Sequence, residues 1–301
     1  MSLPNPFSVV IDSARLAVLT LEPNQGPMVI LDKPLIERLE VTLTTLPRDL
    51  TGLVLASGSP RVFVAGADLK SIMAMSHTEL EDYLAYGQRV FGMLCKLPFP
   101  TVAAIAGAVL GGGMELAMHC DGLVAANPPL KDGQPGRPYP VGLPEAGLAI
   151  CPGWGGTNLL PARMDPAEAI RRTCAGQTML VGEAKAAGVF DAFANDAAAV
   201  VDVAKSWLTA NPKAHDGRAD GKPLRWIGRP AFVGAGAAAA KSARAAAGVG
   251  LSDEAGACLK AVDAGLAEGW ESALKAERTE LNRLRAAPAG QEKITAFFSK
   301  K

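Results

Sequence analysis

Up to about Asp191 the chain alternates short runs of β-branched and apolar residues with amphipathic stretches of helical period. The runs "RLAVLTL", "TGLVLAS", "TVAAIA" and "GLVAA" are apolar throughout, while "PLIERLEVTLTTL" and "HTELEDYLAYGQRVFGMLCKL" place apolar residues on one helical face. Apolar strands separated by helices predict an α/β domain whose sheet is covered on at least one face.

After Asp196 the pattern turns helical. "DAAAVVDVAKSWLTA" leads into "NPKAHDGRADGKPLRWIGRP", a connection rich in proline, glycine and charge that reads as a surface excursion. Alanine-rich and amphipathic segments follow, including "GACLKAVDAGLAEGWESALKAERTELNRL" and "QEKITAFFSKK". The expected division is a catalytic core over residues 1–195 and a helical C-terminal region over residues 196–301, suited to packing on the body or on a partner subunit. "GAGAAA" (Gly234–Ala239) fits the letter of the dinucleotide fingerprint, but no strand precedes it, so an alanine-rich helix entry is expected there.

Composition narrows the partner. Nearly half of the 301 residues are apolar, enough for a large core, and 30 basic residues balance 30 acidic ones without clustering. No field is set up for a nucleic-acid backbone or an anionic membrane, so a small-molecule substrate is expected. The five cysteines (Cys95, Cys120, Cys151, Cys174, Cys258) form no CxxC pair, as for buried thiols of a reducing compartment, and no zinc site is expected. "MSLPNPFSVV" lacks the pattern of a signal peptide, and no apolar run approaches ~20 residues. These features predict a cytoplasmic protein without a membrane span.

Three segments combine glycines with a polar residue beside strong apolar runs: "VFVAGADLKSI", "GAVLGGGMELAMHCD" and "VGLPEAGLAICPGWGGTNLL". A glycine inside a regular element costs roughly 0.5–1 kcal/mol relative to alanine, so the run Gly111–Gly113 needs a reason, such as a ligand approaching the backbone. Small residues at "AGAD" and glycines at a helix start both leave backbone N–H groups open. Two such edges facing one another would make an oxyanion hole. Glu115 lies two residues past the glycines, and Glu145 sits between Pro144 and an apolar run, where burial would raise its pKa. Taken alone, Glu115 is better read as a helix N-terminal acid favoured by the dipole, Glu145 fits a loop carboxylate as well as a catalytic one, and the glycines fit tight helix–strand packing. His119, four residues after Glu115, is expected as a packed core histidine, since no other His or Cys cluster supplies metal ligands. Together, two carboxyl groups beside an oxyanion hole suit the addition or removal of water.

The three segments, in this order and spacing, resemble successive blocks of the crotonase (enoyl-CoA hydratase/isomerase) superfamily over most of residues 10–195. "CLKAVDAGLAEGWESALKAERTELNRL" with "ITAFFSKK" is similar to the end of the hydratase part of multifunctional fatty-acid β-oxidation enzymes, where an NAD-binding dehydrogenase part follows. The resemblance implies a spiral of ββα units with a C-terminal helical region, and assembly as a homotrimer or hexamer. It places the oxyanion-hole N–H groups at Ala67 and Gly112, and the catalytic glutamates at Glu115, chiefly for water, and Glu145, for the α-carbon proton. It places CoA on the backbone of Ala65, Gly66, Ala67, Asp68 and Leu69. No cofactor or metal is implied, CoA being part of the substrate. The implied activity is hydration of trans-2-enoyl-CoA thioesters to 3-hydroxyacyl-CoA in β-oxidation, with a separate 3-hydroxyacyl-CoA dehydrogenase as partner. Two alternatives stand beside it: a Δ3-Δ2-enoyl-CoA isomerase using Glu145 alone, and a non-catalytic acyl-CoA-binding subunit. Ala106 stands where many relatives have asparagine, and "PPLKDGQPGRPYPV" (128–141) is an insertion expected to reshape the acyl pocket.

Overall fold

The computed structural model describes residues 4–128, 130–131, 134–247 and 250–299. In chain order its elements begin β1 (Ser8–Ile11), β2 (Leu16–Leu21), α1 (Lys33–Thr45), β3 (Gly52–Ser57), β4 (Val62–Val64), α2 (Leu69–Ala74) and α3 (His77–Leu94). The motif-bearing stretch follows as β5 (Thr101–Ile105), β6 (Ala108–Leu110), α4 (Gly112–Met118), β7 (Gly122–Ala126), β8 (Leu130–Lys131), β9 (Gln134–Pro135) and β10 (Pro140–Gly142). Next come a 3-10 turn at Glu145–Leu148, α5 (Gly156–Leu159), α6 (Pro166–Ala175), β11 (Met179–Leu180), α7 (Val181–Ala186), β12 (Ala192–Ala194) and α8 (Val200–Ala210). The chain closes with α9 (Val233–Ala247), α10 (Asp253–Glu268), α11 (Trp270–Ala286) and α12 (Pro288–Ser299).

Packing sorts these elements into two compact units made of interleaved segments: residues 1–67, 89–141 and 179–224, and residues 68–88, 142–178 and 225–301. The first holds a six-stranded sheet in the order β1-β2-β3-β5-β7-β12. Only β1 runs antiparallel to its neighbour; from β2 onward every pair is parallel, as the uniformly apolar runs require. One face packs on α8, where Leu16, Val54, Val102 and Val124 meet Val200, Ala204 and Leu208 in a continuous apolar core. A second sheet has the order β11-β10-β6-β4, and its parallel pair β4 and β6 carries the motif residues.

Helix ends follow their capping residues. Asp32 accepts a hydrogen bond from Leu35 N at 2.8 Å ahead of α1, with Pro34 in the first turn, and α1 buries Leu35, Ile36, Leu39 and Leu43. Asp165 does the same for α6, which ends on Gly176 in the left-handed region (φ 62°).

The connection over residues 211–230 departs from its reading as a surface excursion. Lys213, Asp216 and Asp220 are exposed, but Arg218, Trp226 and Ile227 are buried. Arg218 sits in the first unit with four of its hydrogen bonds going to carbonyls of Cys95, Leu97 and Phe99 and to Asp121 Oδ1. A polar stretch can hide such a residue because its burial depends on a distant carboxylate.

The second unit is predominantly helical. Trp226 and Trp270 pack at 5.7 Å between ring centroids, and Trp154 meets Tyr83 edge-on at 5.5 Å while donating Nε1–H to Leu84 O at 3.1 Å. "GAGAAA" lies within α9, in keeping with its reading as a helix entry.

Candidate active site

The glycine run is explained by what lies against it. β4 and β6 are parallel neighbours, with Val62 opposite Ala108 and Val64 opposite Val109, so both strands end at the same edge of their sheet. A Cβ added to Gly113 would stand 2.4 Å from Val64 O and 2.6 Å from Val64 Cβ, so only glycine lets the first turn of α4 come down on the end of β4. Gly66 and Gly111 take φ of 116° and 53°, turning the chain out of each strand.

Two N–H groups are left over at this edge. Leu31 N donates to Gly66 O and Ala65 N to Val29 O, both at 2.9 Å, fixing "AGA" by its neighbours. The Ala67 N–H makes no hydrogen bond among the described residues. Gly112 opens α4, so its N–H has no acceptor within the helix. The first unit thus brings together Ala65, Gly66, Ala67 and Gly112, four of the residues singled out in the sequence.

Glu115 follows in the first turn of α4 and is 1% exposed. His119 caps the other end of that helix, with Nδ1 2.8 Å from the Glu115 carbonyl. A carbonyl can only accept, so Nδ1 carries the proton. Burial pushes the His119 pKa down to about 4 against this hydrogen bond, and the ring stays neutral, edge-on to Phe91 at 5.8 Å. His119 is a packed core histidine that helps hold the helix bearing Glu115.

Asp68, Leu69 and Glu145 belong to the second unit. Asp68 caps α2, accepting from Lys70 N at 3.1 Å and Ser71 Oγ at 2.6 Å, so its carboxylate is engaged and its backbone remains for a ligand. Glu145 opens the 3-10 turn after Pro144; the turn is closed by Ile150 N donating to Glu145 O at 3.2 Å. Its Oε2 is sealed from solvent and has no hydrogen-bond partner among the described residues. Burial raises the Glu145 pKa to about 8, its own backbone N–H opposes the shift, and the charge of Glu277 adds to it.

Glu277 is the residue that the sequence reading missed. It lies on α11 with no exposed surface, and its carboxylate accepts from Gly155 N and Thr157 Oγ1 at 2.5 Å each and from Thr157 N at 2.9 Å. Burial raises its pKa to about 7 against those three donors. A signal was available in the spacing. Trp270, Ala273, Glu277, Leu281 and Leu284 form the buried stripe of α11, so a glutamate occupies a position where the period calls for an apolar residue.

Of the insertion over 128–141, residues 129, 132 and 133 lie outside the described residues. Leu130 pairs with Pro135 and Lys131 with Gln134 as an antiparallel hairpin. Further on, Tyr139 Oη donates to Ala126 O at 2.7 Å, tying the segment to the end of β7. Ala106, at the position where many relatives have asparagine, packs against the apolar core.

The sequence pattern of the enoyl-CoA hydratase/isomerase family matches residues 13–215. The fatty acid oxidation complex subunit alpha of Vibrio cholerae is 34% identical over 219 residues, 71% of this chain and 29% of that protein. The subunit alpha of Vibrio vulnificus is 33% identical over 216 residues, with the same shares covered. The chain therefore spans under a third of the length of these curated relatives. Among solved structures, an enoyl-CoA hydratase/isomerase from Mycobacterium paratuberculosis superimposes with a TM-score of 0.66 at 16% identity, covering 98% of this chain and 100% of that one. An enoyl-CoA hydratase from Geobacillus kaustophilus gives 0.60 at 17% identity, covering 99% and 95%. At such identities the likeness shows the fold alone, the crotonase-like spiral with its C-terminal helical region. The match over residues 13–215 goes further: the chain belongs to the enoyl-CoA hydratase/isomerase family.

Proposed function

We propose that the chain hydrates trans-2-enoyl-CoA thioesters to 3-hydroxyacyl-CoA. The observation that carries this reading is Glu145, whose Oε2 is buried without a hydrogen-bond partner among the described residues and whose pKa burial raises to about 8. Such a group holds its proton at neutral pH and has a lone carboxyl oxygen to direct at a substrate.

In this reading the Ala67 and Gly112 N–H groups take the thioester oxygen, and the backbone around Ala65–Leu69 holds CoA. Glu115 accepts a proton from water as the water oxygen bonds to the β-carbon. The electron pair of the double bond moves toward the thioester oxygen as an enolate, which the two N–H groups stabilise; such donors contribute roughly 2.7–4 kcal/mol each. The α-carbon then takes the proton of Glu145. One water is consumed, and proton exchange with solvent returns Glu145 to its acid form and Glu115 to its base form. Likeness to subunits of fatty acid oxidation complexes supports an acyl-CoA substrate and a 3-hydroxyacyl-CoA dehydrogenase as the next enzyme. Assembly as a homotrimer or hexamer through the C-terminal region belongs to the same proposal.

The test follows the loss of conjugated-enone absorbance of short- and long-chain 2-enoyl-CoA with the wild type, Glu115→Gln and Glu145→Gln. Each substitution is expected to lower kcat by about 10²–10⁴-fold, as for loss of a general acid or base. Turnover of 3-enoyl-CoA that survives Glu115→Gln but not Glu145→Gln would assign an isomerase instead. Tight acyl-CoA binding without turnover of either substrate would leave a binding subunit.

A further inference from the structure

Two cysteines that the chemistry above leaves unused meet in the second unit. Cys174 lies in the last turn of α6, and its Sγ stands 3.7 Å from the carbonyl of Ala255 in the first turn of α10. Cys258 is three residues further along α10, so it shares with Ala255 the helix face that is turned to α6. The Cys174 and Cys258 thiols are hydrogen-bonded to one another. Gly176 ends α6 in the left-handed region, and a Cβ on it would collide with Gly147 N, so the end of α6 is seated on the 3-10 turn and Cys174 is held where it is.

The surroundings of the two thiols differ. Cys258 is 1% exposed, and its hydrogen bond with Cys174 and its burial hold its pKa well above the ordinary value. Cys174 is half-buried, on the wall of a cleft of about 540 Å³ between α6, α9 and α10 that is lined also by Arg171, Ala239, Ser242, Leu251 and Leu259. Its pKa is lowered, chiefly by the hydrogen bond with Cys258 and then by the charge of Arg244 on α9, against burial. The carboxylates on the cleft wall are engaged, Glu168 with Arg171 and Arg172 and Asp165 with the N–H of Glu168 at the cap of α6. A reachable thiol that ionises readily, beside a buried neutral one, suits an attacking and a resolving cysteine.

We infer that Cys174 and Cys258 form a peroxide-reactive pair, Cys174 being the residue that hydrogen peroxide in the cleft oxidises and Cys258 the residue that closes a disulfide with it. The Cys174 thiolate attacks one peroxide oxygen, the O–O bond breaks, and the sulfur becomes a sulfenic acid. The hydroxide that leaves takes up the proton the thiol had released. The sulfur of Cys258 then bonds to that of Cys174 and displaces its hydroxyl, which departs as water with the proton of the Cys258 thiol. Two thiols are oxidised by two electrons in all, and the peroxide is reduced to two molecules of water.

The test treats the full chain with hydrogen peroxide and maps its cysteine peptides by mass spectrometry without reduction. Thiols titrated in denaturant should fall by two from the five of the sequence, with one cross-linked peptide pair joining Cys174 to Cys258, and dithiothreitol should restore all five. In Cys258→Ala the cross-link should be lost and dimedone should trap Cys174 as its sulfenic acid. In Cys174→Ser the Cys258 thiol should survive the same dose. Cys151 is the competing thiol, since it too acts on Cys258, and Cys151→Ser should leave the cross-link intact. A cross-link from Cys258 to Cys151, a wild-type Cys174 that stops at the sulfenic acid, or a Cys174 that oxidises no faster than the buried Cys95 and Cys120 would each overturn the inference. The wild-type map decides the matter even if Cys258→Ala does not fold.

Discussion

Arg218 grips Asp121 with two parallel hydrogen bonds, Nε to Oδ1 at 2.5 Å and Nη2 to Oδ2 at 2.9 Å, across 97 residues of sequence. Both side chains are buried, Thr101 N also donates to Asp121 Oδ2 at 2.8 Å, and the remaining Arg218 donors reach three main-chain carbonyls. A buried pair is costly to break because one charge is stranded. Arg218→Met should lower stability by about 3–5 kcal/mol in urea denaturation, and Arg218→Met with Asp121→Leu should recover a large part of it. A single substitution costing under about 1 kcal/mol would show that the pair is not integral to the first unit.

Gly113→Ala puts a methyl group 2.4 Å from Val64 O, against main chain that has no side-chain freedom to yield. Overpacking of this kind costs about 1–3 kcal/mol. The larger effect is expected on turnover, because α4 must lift off β4 and carry both the Gly112 N–H and Glu115 with it. If displaced by about 1 Å, groups of this kind lose about a hundredfold in rate, so kcat should fall by that order while the melting temperature drops only a few degrees. Unchanged kcat would separate this contact from catalysis.

The two raised carboxyls of the second unit make stability fall with rising pH. Glu145 and Glu277 have folded-state pKa values of about 8 and about 7 against an ordinary 4.5. Below pH 4.5 both states hold these protons and the groups contribute nothing to pH dependence. Between that point and about pH 7 for Glu277 or about pH 8 for Glu145, the unfolded chain is ionised while the folded chain keeps the proton, so unfolding releases protons and becomes easier. The slope is of the order of 1 kcal/mol per pH unit for each group. Thermal melts from pH 5 to 8 should show the decline in the wild type, and Glu145→Gln should flatten it. A wild-type melting temperature that rises through this range would contradict the assignment.

Tyr139→Phe removes the hydrogen bond to Ala126 O that secures the end of the insertion. Stability should fall by about 1 kcal/mol. If the insertion shapes the acyl pocket, the ratio of kcat/KM for long-chain over short-chain 2-enoyl-CoA should shift as well. A constant ratio would remove the insertion from substrate selection.

What the sequence reveals here is whatever has a local period or a local backbone demand. β2, β3, β5 and β7 stand out because a parallel sheet buries both faces of its strands, and α1 and α3 because their apolar spacing is helical. The glycines at 111–113 stand out because nothing local explains them. Glu145 is legible through Pro144 and the apolar run after it, which foretell its burial. Arg218 and Glu277 are legible only in part. Arg218 sits in a stretch whose neighbours are solvated, and its partner is set by tertiary packing. Glu277 is embedded in "ALKAERTEL", where charge on a helix ordinarily means a wet face, and only its place on the apolar stripe of α11 betrays it.

The grip of α11 on "CPGWGGT" changes what counts as a minimal enzyme. A fragment shortened to the segments that define the family would retain Ala67, Gly112, Glu115 and Glu145, and a motif search would score it as whole. It would nevertheless lack Glu277, leaving the Gly155 and Thr157 donors without their acceptor. For this chain a C-terminal helix supplies the acceptor that holds the segment after Glu145, so removing that helix should cost stability in the second unit even though every family motif is kept.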